Sequence, residues 1–343
     1  MLREAEEKVV RDFNQNPYLF IVGCPRSGTT LLRRIVNAHP DIAMTPESHW
    51  IPSCFEERKG LTPEGFVTPD LIPELVHHPK FKKLRLDREE LEGLIQSNGL
   101  VSYATFVTAI FNLFGKVHGK PLVGDKTPGY ARKIRTLHGL WPTARFVHLI
   151  RDGRNVCLSA INWTRRMGYL TVRFPSWIEY PVSTAALWWE WHVRLAREAG
   201  SSLGRGLYYE MRYESLVTNP AKECQALCEF LAVPYDEAML RFYEGRTKKQ
   251  SGLDAKHAWL PVTPGLRDWR SQMSAENLKE FEAVAGDLLE ELGYARSPRR
   301  PEPKAQEHAS VMRQLFSQNG RFSSKYELPE HWTLRCGGTA REF

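Results

Sequence analysis

A glycine-bearing stretch near the start of the chain, "GCPRSGTT" (23–30), has the residue types and spacing of a loop that binds phosphate. Gly23 and Gly28 are separated as in the pattern G-x-x-x-x-G-K-[ST] of nucleoside triphosphatases. In that pattern a lysine contacts the terminal phosphates and a hydroxyl binds magnesium. Here Thr29 replaces the lysine, and the cation lies inside the loop as Arg26.

The chemistry that this loop predicts is anion binding without a magnesium-bound triphosphate. Backbone N–H groups of the loop are expected to converge at a helix N-terminus, where the helix dipole also favours an anion. The missing lysine favours an anion that needs no metal, such as a phosphosulfate. The alternative is a degenerate loop that only packs. The candidate contacts are Arg26, Ser27, Gly28, Thr29 and Thr30.

A second candidate anion site follows in "FVHLIRDGRNVCLS" (146–159). Arg151 ends a predicted strand, Asp152 is placed to cap the next helix, and Ser159 lies on that helix. Ligands of open parallel sheets bind outside the strand ends, so the arginine and the hydroxyl suit a second phosphate in the same crevice. Together the two segments predict one ligand with two separated phosphates. Arg154 is as well explained as a charge on the helix surface.

Strands that alternate with helices are needed to bring these candidate residues to one edge of a sheet. Apolar runs rich in strand formers precede helical patterns at four places. The predicted strands cover 18–23, 120–126, 144–150 and 206–216. This alternation predicts an α/β, P-loop-type three-layer fold with a central parallel sheet flanked by helices. Helical insertions are predicted at about 53–118 and 163–203.

Length and composition fit one large domain. The chain has 343 residues, of which 42% are hydrophobic, so it can bury a large core. We expect a domain over 1–297 and a C-terminal tail over 298–343. Six cysteines without paired metal spacing predict reduced, buried thiols. Five tryptophans of the second insertion predict packing between helices rather than a ligand platform: Trp163, Trp177, Trp188, Trp189 and Trp191.

Charge and hydropathy limit the classes of partner that we expect. Lysine and arginine exceed aspartate and glutamate by 7, which suits a polyanionic ligand, and no nucleic-acid-binding signature accompanies the excess. No stretch approaches the roughly 20 apolar residues of a transmembrane helix, and the first residues are charged where a signal peptide would be apolar. We therefore expect no nucleic-acid partner, no transmembrane segment and a cytoplasmic location.

The two motifs together resemble the sulfotransferases that use 3'-phosphoadenosine 5'-phosphosulfate (PAPS). "PRSGTTLL" is similar to the 5'-phosphosulfate loop of that family, and "RDGRNVCLS" is similar to its 3'-phosphate motif R-D-x-R-x-x-x-x-S. "YESLVTNPAKECQALCEFLAVP" and "LRDWRSQMSAENLKEFEAVAGDLLEELGY" look like later segments of the family, so the similarity spans about 18–295. The resemblance implies PAPS as co-substrate, no metal requirement and transfer of a sulfuryl group to an acceptor hydroxyl.

Within the family, the arginine of the loop and "AHPDIAMTPESHWIP" resemble the protein-tyrosine sulfotransferase branch and its bacterial relatives. By that resemblance Glu47 is the candidate catalytic base, and Lys126 and Arg26 are candidates for stabilising charge at the transferring group. Tyr213 is a candidate contact of the cofactor. The alternatives are an ordinary first-turn glutamate, a surface lysine and a core tyrosine. His49 is close enough to Glu47 in sequence to replace it as base.

Some features depart from the branch. The sequence contains neither an evident membrane anchor nor an evident disulfide framework, and the segment before Trp269 lacks the usual loop-closing cation, for which Lys256 and Arg267 are the two candidate substitutes. The acceptor is left open among a peptide tyrosine, a carbohydrate and a lipid or natural-product alcohol. The alternatives to an enzyme of this kind are a non-catalytic nucleotide-binding module and, less favoured because of Thr29, a P-loop kinase.

Overall fold

The structure is a computed structural model. It describes residues 15–86, 88–96, 100–164, 175–244, 261–262, 267–297 and 302–319.

A five-stranded parallel sheet forms the centre of the molecule. The strands are β1 (Leu19–Val22), β2 (Ile42–Met44), β3 (Leu122–Lys126), β4 (Arg145–Ile150) and β5 (Tyr208–Arg212). Their order across the sheet is β2-β3-β1-β4-β5, and every neighbouring pair is parallel. This sheet with helices around it confirms the predicted P-loop-type α/β fold.

The described helices connect these strands and cover the sheet. The first seven are α1 (Thr29–Ala38), α2 (Trp50–Glu56), α3 (Leu71–His77), α4 (Arg88–Gln96), α5 (Tyr103–Val117), α6 (Ile134–Leu140) and α7 (Gly153–Thr164). The next seven are α8 (Ser176–Glu179), α9 (Pro181–Leu203), α10 (Tyr213–Thr218), α11 (Pro220–Leu231), α12 (Trp269–Gln272), α13 (Ala275–Glu291) and α14 (Pro303–Asn319). Short 3₁₀ turns lie at Phe81–Leu84, Pro128–Arg132 and Glu237–Met239.

Strand β1 shows why the fold has three layers. All four of its residues are buried, and successive side chains of a strand point to opposite faces. Phe20 and Val22 belong to a core cluster with the helices of the first insertion. Leu19 and Ile21 belong to a different cluster, with α1 and α11. A strand with apolar side chains on both faces needs a helical layer on each side.

The sequence predicted four of the five strands. The predictions at 18–23, 120–126 and 144–150 are confirmed by β1, β3 and β4. The prediction at 206–216 is too long, because the chain enters α10 at Tyr213. Strand β2 was not predicted, because its three residues are too few to show periodicity.

The first insertion, predicted at about 53–118, is confirmed as helical by α2 to α5. The second contains α8 and α9, and its residues 165–174 lie outside the described residues. Four of its tryptophans are buried in the core with α13 and α14, as predicted: Trp177, Trp188, Trp189 and Trp191. Trp163 is partly buried and packs against the same cluster.

Part of the predicted C-terminal tail is helical and packs on the domain. In α14 the side chains of Met312 and Phe316 are buried, and Phe316 contacts Trp191 edge to face with ring centroids 5.9 Å apart. Arg313 donates a hydrogen bond to the buried carboxylate of Glu190 at 2.5 Å. The boundary between residues 1–297 and 298–343 itself stays a prediction.

The five cysteines within the described ranges are free and buried, which confirms the predicted thiols, and Cys336 lies outside those ranges. Among the described helices, none combines the length and the apolar character that a membrane crossing requires.

A buried histidine of the sheet should make stability depend on pH. His148 on β4 is fully buried and lies 2.6 Å from the hydroxyl of Tyr208 on β5. Burial and the charges of Arg197 and Arg212 lower its pKa from 6.5 to about 3. As pH falls below 6.5, the unfolded chain therefore takes up a proton that the folded chain excludes.

We expect this histidine to lower the free energy of unfolding by about 1.4 kcal/mol per pH unit below 6.5, or about 2 kcal/mol at pH 5. His148→Asn keeps a hydrogen-bonding side chain beside the Tyr208 hydroxyl but does not titrate. Urea unfolding at pH 7 and pH 5 should therefore show a smaller loss in the variant than in the wild type. Equal losses of unfolding free energy in both proteins would mean that His148 is not the origin of the pH dependence.

Candidate active site

The carboxyl ends of all five strands lie at one edge of the sheet, and each is followed by a residue that the sequence analysis singled out. Glu47 comes shortly after β2, and Lys126 is the last residue of β3. The glycine-bearing loop follows β1, Arg151 follows β4, and Tyr213 follows β5. The sheet therefore gathers residues that are up to 187 positions apart (213 − 26) along the chain.

The loop after β1 has the conformation of an anion-binding turn. Helix α1 begins at Thr29, and its first N–H groups have no acceptor within the helix. Gly28 has a φ of 97°, and a Cβ there would lie 2.4 Å from Cδ2 of Tyr213. Only glycine fits, because both the backbone angle and the tyrosine ring exclude a side chain.

Tyr213 connects this loop to the second motif. Its ring packs on Gly28, and the guanidinium carbon of Arg151 lies 4.1 Å from the ring centroid. The backbone carbonyl of Arg151 accepts a hydrogen bond from the indole of Trp189 at 3.1 Å. Arg151 is thus held from two sides at the end of β4.

Asp152 caps helix α7 as predicted. Its Oδ1 accepts a hydrogen bond from the backbone N–H of Arg154 at 2.9 Å. The side chain of Arg154 is buried, not on the helix surface, because it pairs with Asp152 at 2.8 Å and with Glu282 at 3.1 Å. Arg154 therefore ties α7 to α13, a contact that neither segment reveals alone.

The two motifs touch each other directly. Nε of Arg26 donates a hydrogen bond to Oγ of Ser159 at 3.2 Å. Arg26 has a φ of 79°, a left-handed conformation that is rare for a residue with a side chain. The loop arginine and the helix hydroxyl therefore lie side by side.

Two buried polar atoms at this edge have unused hydrogen-bonding capacity. Oγ of Ser27 and Nε of Arg151 have no hydrogen-bond partner within the part of the chain that the structure describes. The two residues are only 1% and 7% exposed. Leaving such groups unpaired costs about 1–3 kcal/mol each, so a ligand that pairs with them is favoured.

Glu47 and Lys126 form a close ion pair beside the loop. Nζ of Lys126 lies 2.5 Å from Oε1 of Glu47 and 3.3 Å from Oγ1 of Thr30. The lysine side chain is 4% exposed and the glutamate side chain 27% exposed. Lys126 is thus not a surface lysine, and Glu47 is partly exposed to solvent.

Electrostatics keep Glu47 ionised. Burial alone would raise its pKa, but hydrogen bonds from His49 and Lys126 and the charge of Lys126 outweigh that effect, so the pKa lies below its usual value. Burial lowers the pKa of Lys126, and Glu47 offsets part of this shift. The carboxylate is therefore a weak base as long as both contacts persist.

The other carboxylate oxygen faces the first insertion. Oε2 of Glu47 lies 3.1 Å from Nε2 of His49 and 3.7 Å from Nζ of Lys80. His49 was a candidate from the sequence, whereas Lys80 was not. No local signal marks Lys80, since only the folded insertion brings it to Glu47.

The charge of Arg267 also acts on the second motif. Burial lowers the pKa of Arg151, and the positive charge of Arg267 acts in the same direction. Of the two candidates for closing the site, Arg267 is therefore near Arg151, whereas Lys256 lies outside the described residues. Within those residues, no group of three or more histidine, cysteine, aspartate or glutamate side chains is arranged to hold a metal.

Comparisons with known proteins agree on one family. The sequence profile described as "Sulfotransferase family" matches residues 17–237. The chain is 25% identical over 329 residues to protein-tyrosine sulfotransferase 1 of Homo sapiens, covering 92% of this chain and 78% of that protein. It is 27% identical over 312 residues to nodulation protein NoeE of Sinorhizobium fredii, covering 84% of this chain and 68% of that protein.

A solved structure supports the fold. The sulfotransferase domain of the Synechococcus PCC 7002 olefin synthase superposes with a TM-score of 0.50 at 24% identity, covering 92% of this chain and 97% of that chain. The profile match extends over more than half of the chain and includes both anion-binding motifs as well as Glu47 and Lys126. This chain belongs to the sulfotransferase family.

Proposed function

We propose that this sulfotransferase moves a sulfuryl group from PAPS to an acceptor hydroxyl by in-line displacement, without a metal. The observation that carries the proposal is the Glu47–Lys126 pair, 2.5 Å apart, with Lys126 3.3 Å from the anion-binding loop at Thr30. A base, a cation and an anion site are thus adjacent, as a transfer to a hydroxyl requires.

The residues at the sheet edge fit a nucleotide with two separated phosphates. Ser27 and Arg151 each bring a buried donor without a partner among the described residues, and the amides that begin α1 add an anion site. In this proposal the loop residues Arg26, Ser27, Gly28, Thr29 and Thr30 hold the phosphosulfate end. The 3'-phosphate end is held by Arg151 and Ser159, and Tyr213 lies between the two ends.

PAPS would supply a sulfuryl group on a good phosphate leaving group. The acceptor hydroxyl must lose its proton during the attack, and the carboxylate of Glu47 would take that proton at one of its oxygens. Glu47 suits this task because its side chain is 27% exposed and can be reached from outside.

Lys126 would control how basic Glu47 is. The lysine contacts the carboxylate directly and, together with the hydrogen bond from His49, holds the pKa of Glu47 below its usual value. An anion placed at Thr30 would share the ammonium group with Glu47. The carboxylate would then become more basic at the moment when the nucleotide is present.

Arg26 and the first amides of α1 would stabilise negative charge that develops on the sulfuryl oxygens. Such donors lower a barrier when they are fixed before the reaction begins. The hydrogen bond from Arg26 to Ser159 at 3.2 Å and the glycine turn provide this fixation.

The acceptor remains open among a peptide tyrosine, a carbohydrate and a lipid or natural-product alcohol. The name of the Homo sapiens relative supports tyrosine, whereas the name of the Sinorhizobium fredii relative does not give an acceptor. The cytoplasmic location stays a prediction of the sequence. Family membership favours a transferase over the non-catalytic binding module and the kinase.

The direct test is incubation with PAPS that carries radioactive sulfur and a panel of tyrosine peptides, glycans and lipid alcohols. We expect label in at least one acceptor class, with or without EDTA, because the site relies on arginine, lysine and amides rather than magnesium. Loss of transfer with EDTA would contradict the metal-free mechanism. Label in no class together with tight binding of adenosine 3',5'-bisphosphate would favour the non-catalytic module.

Arg151→Ala should weaken the binding of adenosine 3',5'-bisphosphate by about 10- to 100-fold, because a hydrogen bond to a charged group contributes about 1.5–3 kcal/mol. Calorimetry measures the affinity. The matched control is Arg145→Ala at the amino end of the same strand, which should leave the affinity unchanged. Equal affinities for wild type and Arg151→Ala would remove Arg151 from the 3'-phosphate site.

Glu47→Gln should reduce turnover by about 10²-fold or more, the usual effect of losing a general base, while nucleotide affinity stays within about 3-fold. The matched control is Glu56→Gln. Glu56 is also 27% exposed and also pairs with a lysine, Lys133, at 2.8 Å. Turnover with the labelled acceptor should fall only in the first variant. Full activity of Glu47→Gln would point to another base, with His49 as the nearest candidate.

A further inference from the structure

A buried acidic residue directly before Lys126 has no role in the reaction described above. Asp125 on β3 is fully buried, and among the described residues no salt bridge joins it to a cation. Successive side chains of a strand point to opposite faces of the sheet, so Asp125 and Lys126 have different neighbours. A carboxyl group in such a place needs an explanation.

One carboxyl oxygen of Asp125 binds a hydroxyl of the segment that carries Glu47, and the other, Oδ1, has no hydrogen-bond partner among the described residues. Oγ1 of Thr45 donates to Oδ2 of Asp125 at 2.9 Å, and the backbone N–H of Thr45 donates to the carbonyl of Gly124 at 2.8 Å. The segment 45–48 is therefore fastened to β3 on the amino-terminal side of Glu47.

The segment is fastened again on the other side of Glu47. The backbone N–H of Ser48 donates to Oγ1 of Thr127 at 3.0 Å, and the hydroxyls of Ser48 and Tyr130 lie 2.6 Å apart. Thr127 and Tyr130 follow β3 in the chain, and both are buried. Glu47 thus sits two residues after one anchor and one residue before the other.

The hydrogen bond from Thr45 does not require a charged acceptor. Burial raises the pKa of Asp125, and the neighbouring polar groups of Thr127, Ser48 and Thr45 offset only part of the rise. A carboxyl oxygen accepts this hydrogen bond in either protonation state. An asparagine has nearly the same shape and the same ability.

We propose that Asp125 is a positioning residue, which through its hydrogen bond to Thr45 holds the segment 45–48 on β3 so that Glu47 faces Lys126. The proposal rests on the proposed role of Glu47 as base. Hydrogen bonding, not charge, carries the effect. A displacement of about 1 Å at a reacting group can cost about 10²-fold in rate, so loosening the segment should lower turnover.

Hydrogen–deuterium exchange of the ligand-free chain tests the anchoring without any acceptor. In Asp125→Ala, amides of peptides that cover residues 45–50 should exchange at least about 10-fold faster than in wild type, because local opening becomes easier. Asp125→Asn should exchange like wild type. Unchanged exchange in Asp125→Ala would overturn the proposal, and equally fast exchange in Asp125→Asn would show that charge is needed and overturn it too.

Steady-state kinetics test whether loosening the segment lowers turnover. The substrate is an acceptor that takes up label in the experiment with PAPS described above. Asp125→Ala should lower kcat by about 10- to 100-fold, whereas Asp125→Asn should stay within about 3-fold. The affinity for adenosine 3',5'-bisphosphate should change by less than about 3-fold in both, which also shows that the fold is intact. A kcat loss in Asp125→Asn equal to that in Asp125→Ala would contradict the proposal.

A second variant separates anchoring from general destabilisation. Thr45→Val removes the hydroxyl that donates to Asp125 and should reproduce the exchange and kcat effects, and the double variant should be no worse than Asp125→Ala alone. Thr184→Val is the matched control, since Thr184 is equally buried and donates to the carbonyl of Ser176 at 2.9 Å within the second insertion. It should leave exchange at 45–50 unchanged. Additive effects of the two site substitutions would contradict a shared anchor.

The failure of this proposal is distinguishable from failure of the proposed function. If Glu47→Gln is inactive but Asp125→Ala retains full kcat, the anchoring is wrong and the base stands. If Glu47→Gln is fully active, the base is wrong, and the exchange experiment still decides whether Asp125 fixes the segment.

Discussion

The contact between Glu47 and Lys126 is the interaction on which the rest of the site depends. It joins β2 and β3, neighbouring strands at one side of the sheet, and it turns a solvent-facing carboxylate into a restrained one. Lys126 also contacts Thr30, so the same ammonium group links Glu47 to the loop after β1. A change in charge at the loop would therefore act on Glu47 through a single residue.

An arginine inside the loop and a threonine at the usual lysine position distinguish this anion site from that of a triphosphatase. A lysine after the last glycine reaches along a phosphate tail towards a metal. Arg26 instead contacts Ser159 on α7, which turns its planar cation towards the other motif. The loop and the helix after β4 are thus joined by a side-chain contact.

Much of the fold and of the candidate site was predictable because it is encoded locally. The glycine turn, the capping Asp152 and the strand before Arg151 each lie within one short segment, and the structure confirms their form. What the sequence did not reveal depends on tertiary contacts. Lys80 meets Glu47 only when the first insertion folds back, and Arg154 is buried only because α13 supplies Glu282.

The ring of Tyr213 lies between the two sequence motifs. This ring packs on Gly28 of one motif and on the guanidinium of Arg151 of the other, so the ring sets the separation between the loop and the end of β4. Under the proposed function, a ligand that contacts both motifs would have to match this separation.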